Sequence, residues 1–240
     1  MNTYTQTFEA DTGKILNIVI NSLYSDRDIF LRELLSNASD AIQKRKFLGQ
    51  TDQSLLNNEA DSIEIIINTK KTTIEIVDTG IGLTENELAE TLGTIAKSGT
   101  SAFLQEMEGE ENSKDAAKTL IGQFGVGFYS AFMVADKVEV LSRKAGTKQV
   151  SSWESDGQSG FSINKSDEKQ AVGTKIKLFL KKDAKEFAAP DKIKTLIKKY
   201  SDHISFPINI KEADGEIEQV NSARSEEHTS ELQSPDHLVC

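Results

Sequence analysis

The sequence contains a single cysteine, Cys240, which is also its last residue. One cysteine cannot form an internal disulfide or a zinc cluster, so nothing here indicates an oxidising compartment. Long apolar runs are also missing, because the longest uncharged stretch, 119–135, contains glycines and is shorter than the ~20 residues of a membrane span. The first residues lack the charged and apolar blocks of a signal peptide. We therefore expect a cytoplasmic protein with no membrane segment.

Basic residues are in the minority, with 28 Lys and Arg against 38 Asp and Glu and a net charge of −10. A nucleic-acid-binding protein usually presents a basic face to the phosphates, so the composition predicts no nucleic-acid partner. Hydrophobic residues make up 37% of the chain, which is enough for a core and excludes a disordered chain. At roughly 150 residues per domain, the length corresponds to between one and two domains.

The pattern of apolar residues predicts helices before, between and after a run of strands. A helical stripe covers 14–24, and a second helix is expected over 28–47, where Ser-Asp-Arg-Asp supplies a cap and first-turn acids. Two β-rich runs, 62–68 and 73–77, are joined by a polar turn and predict an antiparallel hairpin. Further strands are expected at 137–143, 148–154, 160–164, 173–181 and 206–212, with helices in part of 84–107 and over 184–200. This order predicts an α+β two-layer sandwich, in which helices cover one face of a mixed, mostly antiparallel sheet.

The end of the chain does not fit this pattern. From Arg224 onward there is no helical or strand period, and RSEEHTSELQS is the sequence that a common sequencing adapter encodes in this frame. We therefore expect one domain over 1–221 and a non-native tail over 222–240 that takes no part in the fold. A native disordered tail is the alternative.

Three polar residues define a candidate site on the second predicted helix. Glu33 and Asn37 are four residues apart, and Asp40 follows three residues later, so their side chains lie on neighbouring parts of one face. A carboxylate beside an amide oxygen suits a hard cation such as Mg²⁺, and a carboxylate left free of the metal can orient a water as general base. The alternative is a solvated polar helix face.

A second candidate site follows the strand at 73–77, in the sequence Asp78-Thr79-Gly80-Ile81-Gly82. An acid at the end of a strand accepts a hydrogen bond from an amine such as adenine N6, and glycines let the backbone approach a flat ligand. The alternative is a simple turn after the strand.

A third candidate is the glycine-rich segment GQFGVGF, with Gly122, Gly125 and Gly127. Its backbone N–H groups are free to contact phosphate oxygens, and the apolar stretch that follows is expected to continue as a helix. The order GxxGxG differs from the dinucleotide-binding GxGxxG, and the sequence GxxxxGK[ST] does not occur, so a P-loop enzyme is excluded.

Weaker signals complete the pattern. Thr174 opens a predicted strand and its hydroxyl could contact a nucleotide, although β-propensity explains it equally well. The Gly-, Ser- and Thr-rich segment 92–103 is typical of a hinged lid, and Lys97 within it could reach a phosphate or simply be solvated. Aromatic residues away from the glycines are expected in the core, namely Trp153, Phe161, Phe179 and Phe187.

Four segments in this order resemble the nucleotide-binding domain shared by gyrase-type topoisomerases, ninety-kilodalton heat-shock chaperones, histidine kinases and MutL. They are YSDRDIFLRELLSNASDA, DTGIGLT, LGTIAKSGT and IGQFGVGFYSAFMVAD. They are most similar to the bacterial members of the heat-shock chaperone family. The resemblance runs from about Phe8 to Asn221 and implies the Bergerat-type fold of the GHKL ATPases, without the family's middle and C-terminal domains.

The resemblance also implies a role for each matching residue. Glu33 matches the family's water-activating glutamate, Arg32 a neighbour that restrains it, and Asn37 the Mg²⁺ ligand that also contacts phosphate. Asp78 matches the acid that recognises adenine. The remaining matches are nucleotide-contacting positions, with Asp40, Gly82 and Thr174 in the adenine pocket, Lys97 and Phe128 beside the nucleotide, and Gly122, Gly125, Val126 and Gly127 in the phosphate loop.

The function implied is that of an ATP-binding and ATP-hydrolysing chaperone domain, with ATP or ADP and Mg²⁺ as ligands. Closure of the lid, about 92–128, is expected to couple to the folding of client proteins, and the full-length protein to be a homodimer that also binds cochaperones. In this family a middle-domain arginine completes the phosphate site and the dimer contact is C-terminal. This domain is therefore expected to be monomeric and to hydrolyse ATP weakly. The acidic insertion 108–118 departs from a minimal lid.

Three other functions are compatible with parts of this sequence pattern. A nucleotide-gated binding module without its own chemistry would need the same pocket, and single-turnover hydrolysis separates it from an ATPase. A histidine-kinase domain would require a histidine in a dimerisation helix, whereas His203 lies near a predicted strand. A gyrase-like or MutL-like role would require basic clusters facing DNA. The best candidate is the group of lysines in 192–199, whose spacing is typical of an ordinary solvated helix face.

Overall fold

The structure is a computed structural model that describes residues 26–56, 60–93, 127–158, 160–212 and 215–223. The predicted helix 14–24, most of the predicted lid, including its insertion 108–118, and the tail from 224 lie outside these residues. Within them, no helix combines the length and the apolar character that crossing a membrane requires.

Helix α1 runs from Ile29 to Gly49 and confirms the helix predicted over 28–47. Its buried side chains recur at helical spacing and include Phe30, Leu34, Ala38 and Ile42, which places one stripe against the sheet. The predicted acidic cap is wrong, since Asp28 makes no side-chain cap and no acid lies in the first turn. The Asp28 carboxylate instead forms an ion pair with Lys192, with 3.1 Å between Oδ1 and Nζ.

Within the described residues, the strands are β1 Ile63–Asn68, β2 Thr73–Asp78, β3 Ala135–Arg143, β4 Val150–Ser155, β5 Phe161–Ser166, β6 Gly173–Leu180, β7 Ile208–Glu212 and β8 Ile217–Gln219. These eight strands form one sheet with the order β5-β4-β3-β6-β2-β1-β7-β8. Only β1 and β7 pair in parallel, and the other described pairs are antiparallel. The mixed, mostly antiparallel sheet is therefore confirmed.

The central strands β1, β2 and β6 determine where the site lies. β1 and β2 form the predicted hairpin, with Ile63 opposite Asp78. β6 lies on the other side of β2, with Thr174 opposite Asp78. Alternate residues of these strands are buried, as the strand period requires. Two residues from distant parts of the chain therefore flank Asp78 at the end of its strand.

The other helices in the described ranges are α2, Glu85–Leu92, and α3, Pro190–Tyr200, with 3₁₀ helices at Gln53–Leu55, Gly127–Met133 and Lys182–Ala188. The single helix predicted over 184–200 is wrong, because the chain is extended at Ala189 (φ −98°, ψ 122°). Pro190 explains the break, since proline disfavours a helical conformation at the residue before it and begins a new helix well. The helix expected after Gly127 is present as a 3₁₀ helix.

The core lies between the helices and one face of the sheet. Trp153 and Phe187 are buried there, as predicted, and the Phe187 ring contacts Phe30 edge-on at 5.1 Å between centroids. The prediction is wrong for Phe161, which is 47% exposed on the edge strand β5. Phe179 is only partly buried, because it points to the opposite face of the sheet from its buried neighbours in β6.

Candidate nucleotide site

One face of α1 carries the polar residues that the sequence singled out. Glu33, Asn37 and Ala41 follow one another at intervals of four residues, so they share a face and span about 12 Å along the axis. The structure shows which segment contacts each end of this face.

The Glu33 end of the face meets the glycine-rich segment. A Cβ at Gly127 would lie 2.5 Å from Glu33 Oε2, so the backbone at the start of the 3₁₀ helix lies directly against this carboxylate. The other oxygen, Oε1, accepts hydrogen bonds from Arg32 Nη2 at 2.7 Å and Nε at 3.2 Å. Arg32 therefore holds one oxygen of Glu33 and leaves Oε2 facing the glycine.

The Ala41 end of the face meets the loop after β2. The Ile81 N–H donates to the Ala41 carbonyl at 3.0 Å, and a Cβ at Gly80 would lie 2.5 Å from Ala41 Cβ. Glycine at position 80 is what allows this approach. The segment that begins at Asp78 is therefore pressed against the same helix face that carries Glu33 and Asn37.

Asp78 lies at the end of β2 with only 6% of its surface exposed. Its Oδ1 accepts the N–H of Gly80 at 2.8 Å and the N–H of Thr174 at 3.2 Å. Among the described residues no hydrogen bond reaches Oδ2, so this oxygen is the one available as an acceptor for a ligand. Burial raises the pKa of Asp78 to about 7, while the two N–H donors and the positive charge of Arg45 act in the opposite direction.

Gly82 shapes this loop through its backbone. Its φ of +68° favours glycine, and a Cβ there would fall on the Arg143 carbonyl. The neighbouring hydrogen bond from Ala145 N–H to the Ile81 carbonyl, at 2.8 Å, holds the loop against the end of β3. Gly82 thus lets the Asp78 loop close on β3.

Two residues near Asp78 were missed by the sequence reasoning. Ser142 on β3 is fully buried and joins Leu83, Gly173 and Thr174 by hydrogen bonds. Arg45 on α1 is 2% exposed and forms an ion pair with Asp61, which lies just before β1. Neither belongs to a recognisable motif, and only their places in the fold bring them near Asp78.

Of the remaining predicted site residues, three lie within the described residues and four lie outside them. Asn37 is partly buried and Asp40 is buried, both on α1. Phe128 is 8% exposed and its ring packs edge-on against Trp153 at 5.4 Å, so its side chain belongs to the core. Four residues lie outside the described residues, namely Lys97, Gly122, Gly125 and Val126.

A metal held by protein side chains alone is not supported by the described residues, which contain no cluster of three or more His, Cys, Asp and Glu able to hold one. The amide oxygen of Asn37, beside Glu33 on one helix face, does fit a cation that takes few protein oxygens. Mg²⁺ bound together with phosphates is such a cation.

The geometry defines a class of protein. It is an α+β domain in which one helix face contacts a glycine-rich segment at the end that carries Glu33, and contacts the loop after the buried Asp78 at the other end. Residues 28–184 match the family described as histidine kinase-, DNA gyrase B- and HSP90-like ATPases. The chain belongs to this ATPase family, and membership implies nucleotide binding.

The chain is similar to several proteins named chaperone protein HtpG. It is 46% identical to that of Rhodospirillum rubrum over 93% of this chain and 36% of the relative. Identity is 47% for Wolinella succinogenes, over 90% of this chain and 36% of the relative. For Roseobacter denitrificans it is 48%, over 91% and 34%. The resemblance to the chaperone family is thus confirmed, and the chain spans about a third of these relatives' length.

Proposed function

We propose that this chain is the adenine-nucleotide-binding, ATP-hydrolysing domain of a molecular chaperone. The observation that carries the proposal is the single α1 face on which Glu33 meets Gly127 at one end and Ala41 meets Gly80 at the other. A nucleotide laid along this face would have its base at Asp78 and its terminal phosphate near Glu33. The names of the similar proteins support the chaperone context.

The base is recognised at the Asp78 end. Oδ2 of Asp78 accepts a hydrogen bond from the adenine amine, and Thr174, Asp40 and Gly82 line the same pocket. The phosphates lie at the other end, against backbone N–H groups of Gly122, Gly125, Val126, Gly127 and Phe128, with Lys97 adding a positive charge.

Asn37, together with the phosphates, would hold Mg²⁺. When bound, it neutralises charge on the phosphate oxygens. Glu33 positions the attacking water and takes its proton as the oxygen bonds to the terminal phosphorus and ADP leaves. Arg32 holds Glu33 through Oε1, so that Oε2 is the oxygen available to the water.

The wider role is proposed from the family. Closure of a lid over about 92–128 couples nucleotide binding to the folding of client proteins, with cochaperones as further partners, in the cytoplasm. The domain is proposed to comprise 1–221, and the tail over 222–240 to be non-native. The full-length protein is proposed to be a homodimer, with this domain alone monomeric and weakly active.

Calorimetric titration with ADP and Mg²⁺ tests binding, and single-turnover hydrolysis of ATP tests chemistry. We expect binding by the wild type, none by Asp78→Asn, and unchanged ADP affinity but no hydrolysis in Glu33→Ala. Equal ADP affinity in the wild type and Asp78→Asn would refute the proposed site.

A nucleotide-gated binding module without hydrolysis is the second candidate. It is favoured by the contact between Arg32 Nη2 and Glu33 Oε1 at 2.7 Å, because this contact occupies one of the two carboxylate oxygens that could take a proton from water. Single-turnover hydrolysis equal in the wild type and Glu33→Ala would support this candidate over the ATPase.

A further inference from the structure

The 3₁₀ helix Gly127–Met133 is fixed to two neighbouring elements by its own residues. The Tyr129 hydroxyl donates to the Leu92 carbonyl at 2.9 Å, at the end of α2. The Phe132 carbonyl accepts a hydrogen bond from Lys181 Nζ at 2.6 Å, directly after β6. Both Tyr129 and Phe132 are buried, so these contacts hold the body of the helix in one place. Gly127, its first residue, takes part in neither contact.

The Ser130 side chain connects Gly127 to the body of this helix. Its Oγ lies 2.6 Å from the Gly127 carbonyl oxygen, and since a carbonyl only accepts, the hydroxyl is the donor. Ser130 is completely buried, so water does not compete for this proton. The backbone hydrogen bonds of 3₁₀ helices have poor geometry, which makes a second donor at this carbonyl valuable. Ser130 therefore fixes Gly127 relative to the part of the helix that Tyr129 and Lys181 hold in place.

Gly127 needs such a restraint because of what lies against it. Glycine restricts its own backbone less than any other residue. A Cβ at this position would lie 2.5 Å from Glu33 Oε2, so the backbone leaves room for the carboxylate and for little else. The other oxygen, Oε1, is held by Arg32 Nη2 at 2.7 Å. Glu33 is thus bounded by Arg32 on one oxygen and by Gly127 on the other, and a shift of Gly127 would leave Oε2 free to move.

We propose that Ser130 is a positioning residue for the proposed hydrolysis, which holds Gly127 against Glu33 so that Oε2 keeps its place for the attacking water. This inference rests on the proposed function. Because its side chain is completely buried, Ser130 acts through Gly127 rather than by touching the nucleotide. Its removal is therefore expected to change the rate of hydrolysis and not the binding of the base, which the proposed function places at the other end of α1.

Ser151 on β4 provides a matched control. It is 1% exposed, and its Oγ has no hydrogen-bond partner among the described residues. Ser151→Ala therefore removes a buried hydroxyl, as Ser130→Ala does, but breaks no hydrogen bond to the backbone beside Glu33.

The experiment compares single-turnover hydrolysis at saturating ATP with calorimetric titration by ADP, both on the 240-residue chain. We expect Ser130→Ala to slow hydrolysis by about tenfold and to change ADP affinity by less than about twofold. Ser130→Cys keeps nearly the same volume with a weak donor and should give an intermediate rate. Ser151→Ala should match the wild type in both measurements. Gly127→Ala combined with Ser130→Ala should be no slower than Gly127→Ala alone, because both changes act on one contact.

A role limited to structure gives a different result. If chemical denaturation shows a lower free energy of unfolding for Ser130→Ala while its hydrolysis rate equals that of the wild type, the inference is overturned and the proposed function stands. Equal losses of rate and of ADP affinity also overturn it, because they indicate a general distortion of the site. Should Ser130→Ala not fold, Ser130→Cys takes its place, and a full wild-type rate in that variant overturns the inference. Absence of ADP binding or of hydrolysis in the wild type would instead refute the proposed function itself, without any Ser130 variant.

Discussion

The Glu33 carboxylate lies against Gly127 so closely that a Cβ at position 127 would be 2.5 Å from Oε2. Only glycine leaves this oxygen in its present place, because any side chain would push the carboxylate toward Arg32 or away from the helix face. Gly127 therefore shapes the proposed catalytic end of the site.

The first prediction concerns this contact. Gly127→Ala should displace the Glu33 carboxylate and slow single-turnover ATP hydrolysis by roughly 10- to 100-fold, since displacements near 1 Å have effects of that size. ADP affinity should change less, because Asp78 is at the other end of α1. Gly215→Ala is the control, since position 215 is exposed and its nearest neighbour is Glu212 Cβ at 3.1 Å. Unchanged hydrolysis in Gly127→Ala would show that the carboxylate position is not needed.

The second prediction concerns the loop after Asp78. Gly82→Ala should lower the free energy of unfolding by about 2–4 kcal/mol, because it adds a backbone collision with Arg143 to the strain of a positive φ. Gly146 has a similar φ of +78°, but a Cβ there would meet only Leu55 Cδ2 at 3.6 Å. Gly146→Ala should therefore cost only about 1–2 kcal/mol. Chemical denaturation measures both, and equal losses would show that the collision relaxes.

The sequence predicts those parts of the fold that depend on contacts between residues close together in the chain. Helix α1 and the β1–β2 hairpin follow from local patterns, and the order of their residues already places Glu33 and Asn37 on one face. Pro190 also indicates the break in the helix at Ala189, although the helical spacing of apolar residues continues across this position. Phe161 was misjudged because strand alternation cannot show that a strand lies at the sheet edge.

The contacts that surround Asp78 could not be predicted from local sequence patterns. Ser142 contacts Leu83 across 59 residues and Thr174 across 32, and a single serine in a strand carries no signal of either contact. Arg45 looks like one of several basic residues near the end of a surface helix. Only the arrangement of β2, β3 and β6 shows that these side chains meet at the proposed base-binding end.

The third prediction concerns pH. Burial raises the pKa of Asp78 from 3.8 to about 7. Because Oδ1 already accepts two N–H donors, a proton would go to Oδ2 and turn the proposed acceptor into a donor. ADP affinity should therefore be constant well above pH 7, be about halved near pH 7 and fall by about tenfold per pH unit well below it. Titrations between pH 5.5 and 8.5 measure this, and a flat profile over that range would contradict it.

The stability of the ligand-free protein should have the opposite pH dependence. Between about pH 4 and 7 the folded state holds a proton on Asp78 that the unfolded state has released. The contribution of this carboxyl to the free energy of unfolding is therefore full below pH 4 and is lost as the pH rises through 7. Asp78→Asn should remove this component, and an identical pH profile in both proteins would show that Asp78 does not titrate there.

The fourth prediction concerns Arg45, whose positive charge lowers the pKa of Asp78. Its guanidinium is 2% exposed and pairs with Asp61 through Nη2, while Nε and Nη1 have no partner among the described residues. Replacing it by methionine removes the charge and keeps an apolar side chain in the helix interface. The pKa of Asp78 should then rise further, so the pH midpoint for ADP binding should move upward.

Two variants separate charge from packing in this experiment. Arg45→Lys keeps the charge and should return the midpoint toward that of the wild type. Arg27 forms an ion pair with Asp183 at 2.7 Å, with side chains 44% and 63% exposed, so Arg27→Met should leave the midpoint unchanged. A midpoint that stays in place in Arg45→Met, while ADP still binds, would mean that the hydrogen bonds from Gly80 and Thr174 are sufficient to keep Asp78 ionised. The buried guanidinium would then serve only to hold the Asp61 segment beside β1.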